Sequence, residues 1–190
     1  MLPVNQLLAL LLLASSFFFG ELAVAAQAKP PALYIDKGAC PFECCTYRTW
    51  KTEKNTVAYA EPNKRSKRVG TFKAGTKVVG LTGEVRTRPS TFTVTKSHET
   101  YQPGDVLWVY TPLGEGVYKV WFKGKMLEQE LDFVSGPFEQ SLPRCEETVE
   151  CWGKLDKPLQ VEWWVKVRSR DGWVGWTDQG ENFSNMDSCG

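Results

Sequence analysis

Cysteine is the residue of this sequence with the most chemistry to offer, and all six copies lie beyond residue 28: Cys40, Cys44, Cys45, Cys145, Cys151 and Cys189. Such residues staple a chain, hold a metal ion or exchange electrons, and their spacing separates these uses. The run Cys40-Pro41-Phe42-Glu43-Cys44-Cys45 lacks the close ligand pair separated by two residues that zinc sites use, and no histidine lies nearby. It also lacks the Cys-x-x-Cys arrangement that lowers a thiol pKa. Cys44 and Cys45 are adjacent and would close a strained ring if joined to each other, so they are expected to bond to different partners. An even number of cysteines reads first as disulfide staples, with a thiol switch as the alternative. Cys145 and Cys151 bracket a short polar stretch and could pair locally. A bridge from the 40–45 cluster to Cys189 would close nearly the whole chain, where a cross-link restricts the unfolded state most.

His98 is the only histidine, and a serine or cysteine nucleophile would need it as the general base. It sits in Lys96-Ser97-His98-Glu99-Thr100, a polar stretch that reads as a loop with a solvated imidazole. The carboxylates fall in two groups, Glu128, Glu130 and Asp132, then Glu146, Glu147 and Glu150. Glycoside hydrolysis needs two carboxyls facing each other across a sugar cleft. Nothing in the sequence implies such a cleft, so both groups read as solvated faces. No catalytic residue, metal ligand or cofactor motif is assigned, and the chain is expected not to be an enzyme.

Residue types suited to binding are more evident. Lys64, Arg65, Lys67 and Arg68 cluster between two candidate strands. They would either hold phosphate or carboxylate groups or keep a loop soluble. Among eight tryptophans, Trp163 and Trp164 are adjacent, so on a strand they face opposite sides and one turns away from the local core. Such rings, with Tyr59, are suited to stacking on peptide or sugar.

The elements that must position these residues begin after an apolar leader. Leu7 to Leu13 and Phe17 to Phe19 make a core too short to span a bilayer comfortably, and Ala23-Val24-Ala25 or Ala26-Gln27-Ala28 fits a small-x-small cleavage site. Residues 1–28 are therefore expected to be a signal peptide, and the rest periplasmic or extracellular with no membrane span. No cysteine directly follows the apolar core, which argues against a lipid anchor. The formal net charge is +1, from 23 basic and 22 acidic residues, too even for a nucleic-acid partner. Residues 29–45 form a lead-in with the cysteine cluster, of which 29–36 are expected to be extended and partly mobile. Beyond them, short Val-, Thr- and aromatic-rich runs punctuated by Gly and Pro predict an all-β chain. Strands are expected at 56–59, 69–72, 77–81, 84–87, 105–110, 117–123, 162–168 and 173–177, with turns at Thr82-Gly83 and at Lys123-Gly124-Lys125, the latter leading into 126–131. A short helix near 127–133 is the one helical candidate.

The last hairpin carries a family resemblance. Trp164-Val165-Lys166-Val167, the Asp171-Gly172 turn and Gly175-Trp176 resemble the closing strands of bacterial SH3-like barrels. Thr56-Val57-Ala58-Tyr59-Ala60-Glu61-Pro62 and the run from Val69 to Val78 resemble the opening strands. The resemblance implies a small SH3-like barrel formed by 46–92 plus 160–190 and split by an inserted β region at 93–159. Two tandem barrels are the alternative. Members of that family bind cell-wall peptides, accompany catalytic domains or have no assigned role. The implied function is non-catalytic recognition of a cell-envelope component, peptidoglycan stem peptide first, in a groove of Tyr59, Lys64, Arg65, Arg68 and Trp164. The alternative is an interaction or inhibitor module that docks on an envelope protein.

Overall fold

Turn residues divide the chain into short extended runs, and the computed structural model describes residues 29–42, 44–131 and 151–189. The leader at 1–28, Cys145, and the acids Asp132, Glu146, Glu147 and Glu150 lie outside the described residues. The strands are β1 Tyr34–Lys37, β2 Thr49–Thr52, β3 Thr56–Tyr59, β4 Arg68–Phe72, β5 Lys77–Arg88, β6 Ser90–Val94 and β7 Val106–Gly114. They continue as β8 Val117–Phe122, β9 Lys125–Glu130, β10 Gly153–Leu155, β11 Gln160–Arg168, β12 Val174–Thr177 and β13 Phe183–Ser184, with a 3-10 turn at Gly180–Asn182. The protein is all-β. None of the described helical segments is long and apolar enough to cross a membrane.

The larger sheet runs β13-β2-β5-β11-β12-β3-β4, with β1 added alongside β5. Its two ends meet. Phe72 on β4 and Phe183 on β13 bring their rings to 6.2 Å, so the sheet is curled into a half-barrel. The enclosed core is Trp50, Ala58, Phe72, Val78, Val165, Val167 and Phe183. Burial of each large apolar side chain contributes roughly 2 kcal/mol relative to exposure. The final hairpin forms as expected from its alternation, with β11 and β12 in register from Val165↔Thr177 to Arg168↔Val174.

β5 is one continuous twelve-residue strand, which corrects the expected turn at Thr82-Gly83. It pairs with β11 from Gln160↔Arg88 to Arg168↔Val79, with a bulge between Lys166 and Val167. Gly83 is there for a close approach. A Cβ at this position would meet the Tyr47 hydroxyl and would lie 2.8 Å from Trp163 Nε1.

Pro89 supplies no N–H to a ladder, and the larger sheet gives way at this residue to the smaller one. The smaller sheet runs β10-β6-β7-β8-β9. It buries Phe92, Val94, Leu107, Val109, Tyr118, Val120, Leu131, Trp152, Leu155 and Leu159. The expected helix near 127–133 is, in its described part, β9, antiparallel to β8 from Val117↔Glu130 to Phe122↔Lys125. The two-residue Lys123-Gly124 turn, both at positive φ, favours the hairpin, and cross-strand pairing of Lys119 with Glu128 at 2.6 Å reinforces it. Gly153 in β10 lies against the Phe92 ring, and a Cβ here would also stand 2.7 Å from the Thr93 carbonyl. Because a backbone group cannot swing aside, Gly153→Ala is expected to lower stability by about 2 kcal/mol, read as a reduced urea midpoint at unchanged slope.

The lead-in is fastened to both sheets. β1 pairs with β5 from Tyr34↔Thr87 to Lys37↔Glu84. Just before it, the Pro31 carbonyl accepts a 2.8 Å hydrogen bond from Tyr110 of β7. The Tyr34 and Tyr110 rings lie 5.7 Å apart. Within the lead-in, 34–37 takes the form of a paired strand.

Candidate functional site

Strand lengths create the cleft. β12 covers β11 only over Val165–Arg168, whereas β5 pairs with β11 all the way back to Gln160. Among the described residues, no strand pairs with the first half of β11 on its β12 side. After Thr177 the chain turns aside. The Thr177 Oγ1 accepts the Gln179 N–H at 3.2 Å, and Gln179 Oε1 accepts the Val57 N–H at 3.1 Å. Asn182 Nδ2 donates to Thr56 Oγ1 at 3.1 Å, which fastens the 3-10 turn to β3. Between this turn and the overhanging strand lies a cleft of about 500 Å³, lined by Pro41, Phe42, Val161, Glu162, Trp163, Asp178, Gly180, Glu181 and Met186.

Its outer wall is held covalently. Cys40 bonds to Cys45 and Cys44 to Cys189, with Cα separations of 5.5 and 5.6 Å. Cys44 and Cys45 thus take different partners, as their adjacency requires. Cys151 is also disulfide-bonded, and no described cysteine is free. The short Cys40–Cys45 ring presents Pro41 and Phe42, and Phe42 meets Trp163 edge-on with centroids 6.1 Å apart. The longer link sets Met186 in place, since the Thr46 N–H donates to the Met186 carbonyl and the Ser188 N–H to Cys44, both at 2.8 Å. Tyr47 donates its hydroxyl to the Ala39 carbonyl, and burial pushes its pKa up to about 12. Cys44, Asp187 and Cys189 lie close enough to share an ion, but both sulfurs are taken by the disulfide and offer no thiolate.

The cleft's polar groups are Glu162, Asp178 and Glu181. Lys64 reaches Asp178 at 2.5 Å, and that hydrogen bond raises the lysine pKa above its ordinary value, reinforced by the charges of Asp178, Tyr59 and Glu162. Among the described residues, Glu162 and Glu181 form no ion pair.

Three of the five residues expected to bind ligand come together around these acids. The Tyr59 and Trp164 rings meet at 6.1 Å, and the Arg86 guanidinium lies 5.9 Å from the centre of the Trp164 ring. Trp164 is only 3 % exposed and points its Nε1–H toward Glu162 Oε2 at 3.5 Å. It therefore backs a cleft acid while its neighbour Trp163 lines the cleft. Lys64 likewise supports Asp178. Arg65 and Arg68 stand apart: the Arg65 backbone N–H donates to Asn63 Oδ1 at 2.9 Å, and Arg68, opposite Tyr59 in the ladder, donates to Thr71 Oγ1 at 2.9 Å. His98 is in a loop as expected, but its ring is not simply solvated. It stacks on Trp152 at 4.3 Å, beside the smaller sheet's core.

Sequence reasoning missed Phe42, Glu162, Asp178, Glu181 and Met186. Trp163 was visible as one of two opposed rings, and the overhang that exposes it depends on where β12 stops. No protein-family model matches the chain, and no curated protein or solved structure matches it either.

Proposed function

We propose that the chain is an exported, non-catalytic binding module that recognises a peptide of the cell envelope, peptidoglycan stem peptide first. The observation that carries this reading is the cleft along the unpaired half of β11. An extended peptide laid there would add as a short strand: backbone groups supply affinity, and alternate side chains enter the aromatic wall or the acidic rim. Phe42 and Met186 are pinned by disulfides before a ligand arrives, which reduces the ordering cost of binding. The disulfides suit an oxidising compartment, and the leader-like residues 1–28 suit export. The resemblance of both ends of the folded region to bacterial SH3-like barrels supports a wall peptide as the first ligand to test. Among the described residues, the cleft lining contains no Ser, Cys or His to serve as nucleophile or imidazole base.

Co-sedimentation of the oxidised protein with purified peptidoglycan sacculi across a salt series tests the proposal. Retention at high salt is expected, with about tenfold weaker binding in Phe42→Ala, whose side chain is partly exposed and not needed for the core. Binding that vanishes with salt and ignores Phe42→Ala would reduce the interaction to generic charge. No binding at any salt would reject the wall and leave an envelope protein as the partner.

A further inference from the structure

The residue types in the sequence point to an anion receptor, but the cleft has the opposite sign. Of the cations expected to bind acidic groups, Lys64 reaches the cleft acids, and Arg65 and Arg68 stand apart from them. Lys64 is taken by Asp178, Arg68 donates to Thr71, and Arg86 donates to Glu84 and the Pro62 carbonyl. Three carboxylates remain along the cleft, with one lysine among them. Of the three, Glu181 lines the cleft with Trp163 and Phe42 and has no ion pair among the described residues, whereas the Glu162 carboxylate turns to the Trp164 face of β11.

We infer that the cleft selects its peptide by a long cationic side chain, whose methylene stem lies on Trp163 and Phe42 and whose ammonium or guanidinium meets Glu181, with Glu162 adding negative charge from the far rim. Aromatic faces and carboxylates cooperate for such a group: the stem is desolvated against the rings, and the charged head keeps hydrogen-bond acceptors and gains attraction from the π-face. A neutral side chain of the same length keeps only the desolvated stem, and an acidic one is repelled. Within the wall-peptide reading, on which this inference rests, the ligand residue is one with a free side-chain amine. Lys64 then acts as a positioning residue, holding Asp178 toward its own loop and leaving Glu181 for the ligand.

Two assays separate this inference from the reading beneath it. Native sacculi and sacculi whose amines have been acetylated are compared in co-sedimentation. Soluble peptides Ala-Ala-Lys-Ala-Ala and its acetyl-lysine counterpart are compared by titration of tryptophan fluorescence. The charged form is expected to bind about tenfold more tightly in both assays. Glu162→Gln with Glu181→Gln should remove that preference, while Phe42→Ala should weaken both peptides alike. Native and acetylated sacculi bound equally well would overturn charge selection while leaving wall recognition standing. Sacculi left unbound, with the lysine peptide still preferred, would remove the wall and keep the cationic peptide. Equal affinity for both peptides, or a preference unchanged by the two glutamine substitutions, would overturn the inference itself.

Discussion

Replacing Cys44 and Cys189 together by serine is expected to lower stability by roughly 5 kcal/mol in the chain-entropy account, against roughly 2 kcal/mol for the Cys40 and Cys45 pair. The difference lies in the unfolded chain. The first bond joins residues 145 apart in sequence and the second residues only 5 apart, so the first excludes far more unfolded conformations. The native strands around the long bridge provide further contacts that its loss would loosen. Cys45 bridges to Asp187, and Arg48 donates to Asn185 Oδ1 at 3.1 Å. Urea unfolding of the two double variants under oxidising conditions measures both effects. Equal losses would contradict the loop-length argument. A ligand titration on the Cys44/Cys189 variant below its unfolding midpoint should also show weaker binding, because Met186 loses its covalent anchor.

Trp50→Ala is expected to cost about 4 kcal/mol, the range for deleting a fully buried indole. Trp50 is 0 % exposed, with ring centroids 5.5 Å from Phe183, 5.7 Å from Tyr47 and 6.3 Å from Trp163. Its Nε1 donates to the Thr46 carbonyl at 2.9 Å. Alanine would therefore leave a cavity where both ends of the curled sheet converge, and would remove support behind the cleft's own tryptophan. Trp50→Phe should cost less, because it retains most of the volume and loses the one hydrogen bond. Chemical denaturation of the three proteins measures the ranking, and a loss below about 1 kcal/mol for alanine would contradict a single shared core.

Much of the larger sheet is legible because its strands alternate. Trp163, Val165 and Val167 against Trp164, Lys166 and Arg168 gives two faces, and Asp171-Gly172 closes the hairpin. Gly83 misleads for a physical reason. A glycine that ends a strand and one that admits a neighbouring ring look alike in sequence, and only the positions of Tyr47 and Trp163 show which this is. The disulfide logic is half legible. Adjacency separates Cys44 from Cys45, whereas the choice of Cys40 and Cys189 as partners depends on the β2–β13 pairing that brings the chain ends together. The site is least legible. The basic loop shows its charge but hides Asp178, which lies far along the chain and neutralises Lys64. Alternation separates Trp163 from Trp164 but cannot say which one the short β12 leaves uncovered.

The Cys44–Cys189 bridge also decides where the molecule bears mechanical load. Tension applied between residue 29 and residue 189 enters at Cys44 and leaves through a covalent bond, bypassing everything between those cysteines. Both hydrophobic cores are thereby shielded from stretching. The load falls on what precedes the bridge: β1 shearing along β5, and the hydrogen bond from Tyr110 to Pro31. Under pull, the lead-in would peel away as an extensible tether while the cleft and both sheets kept their shape.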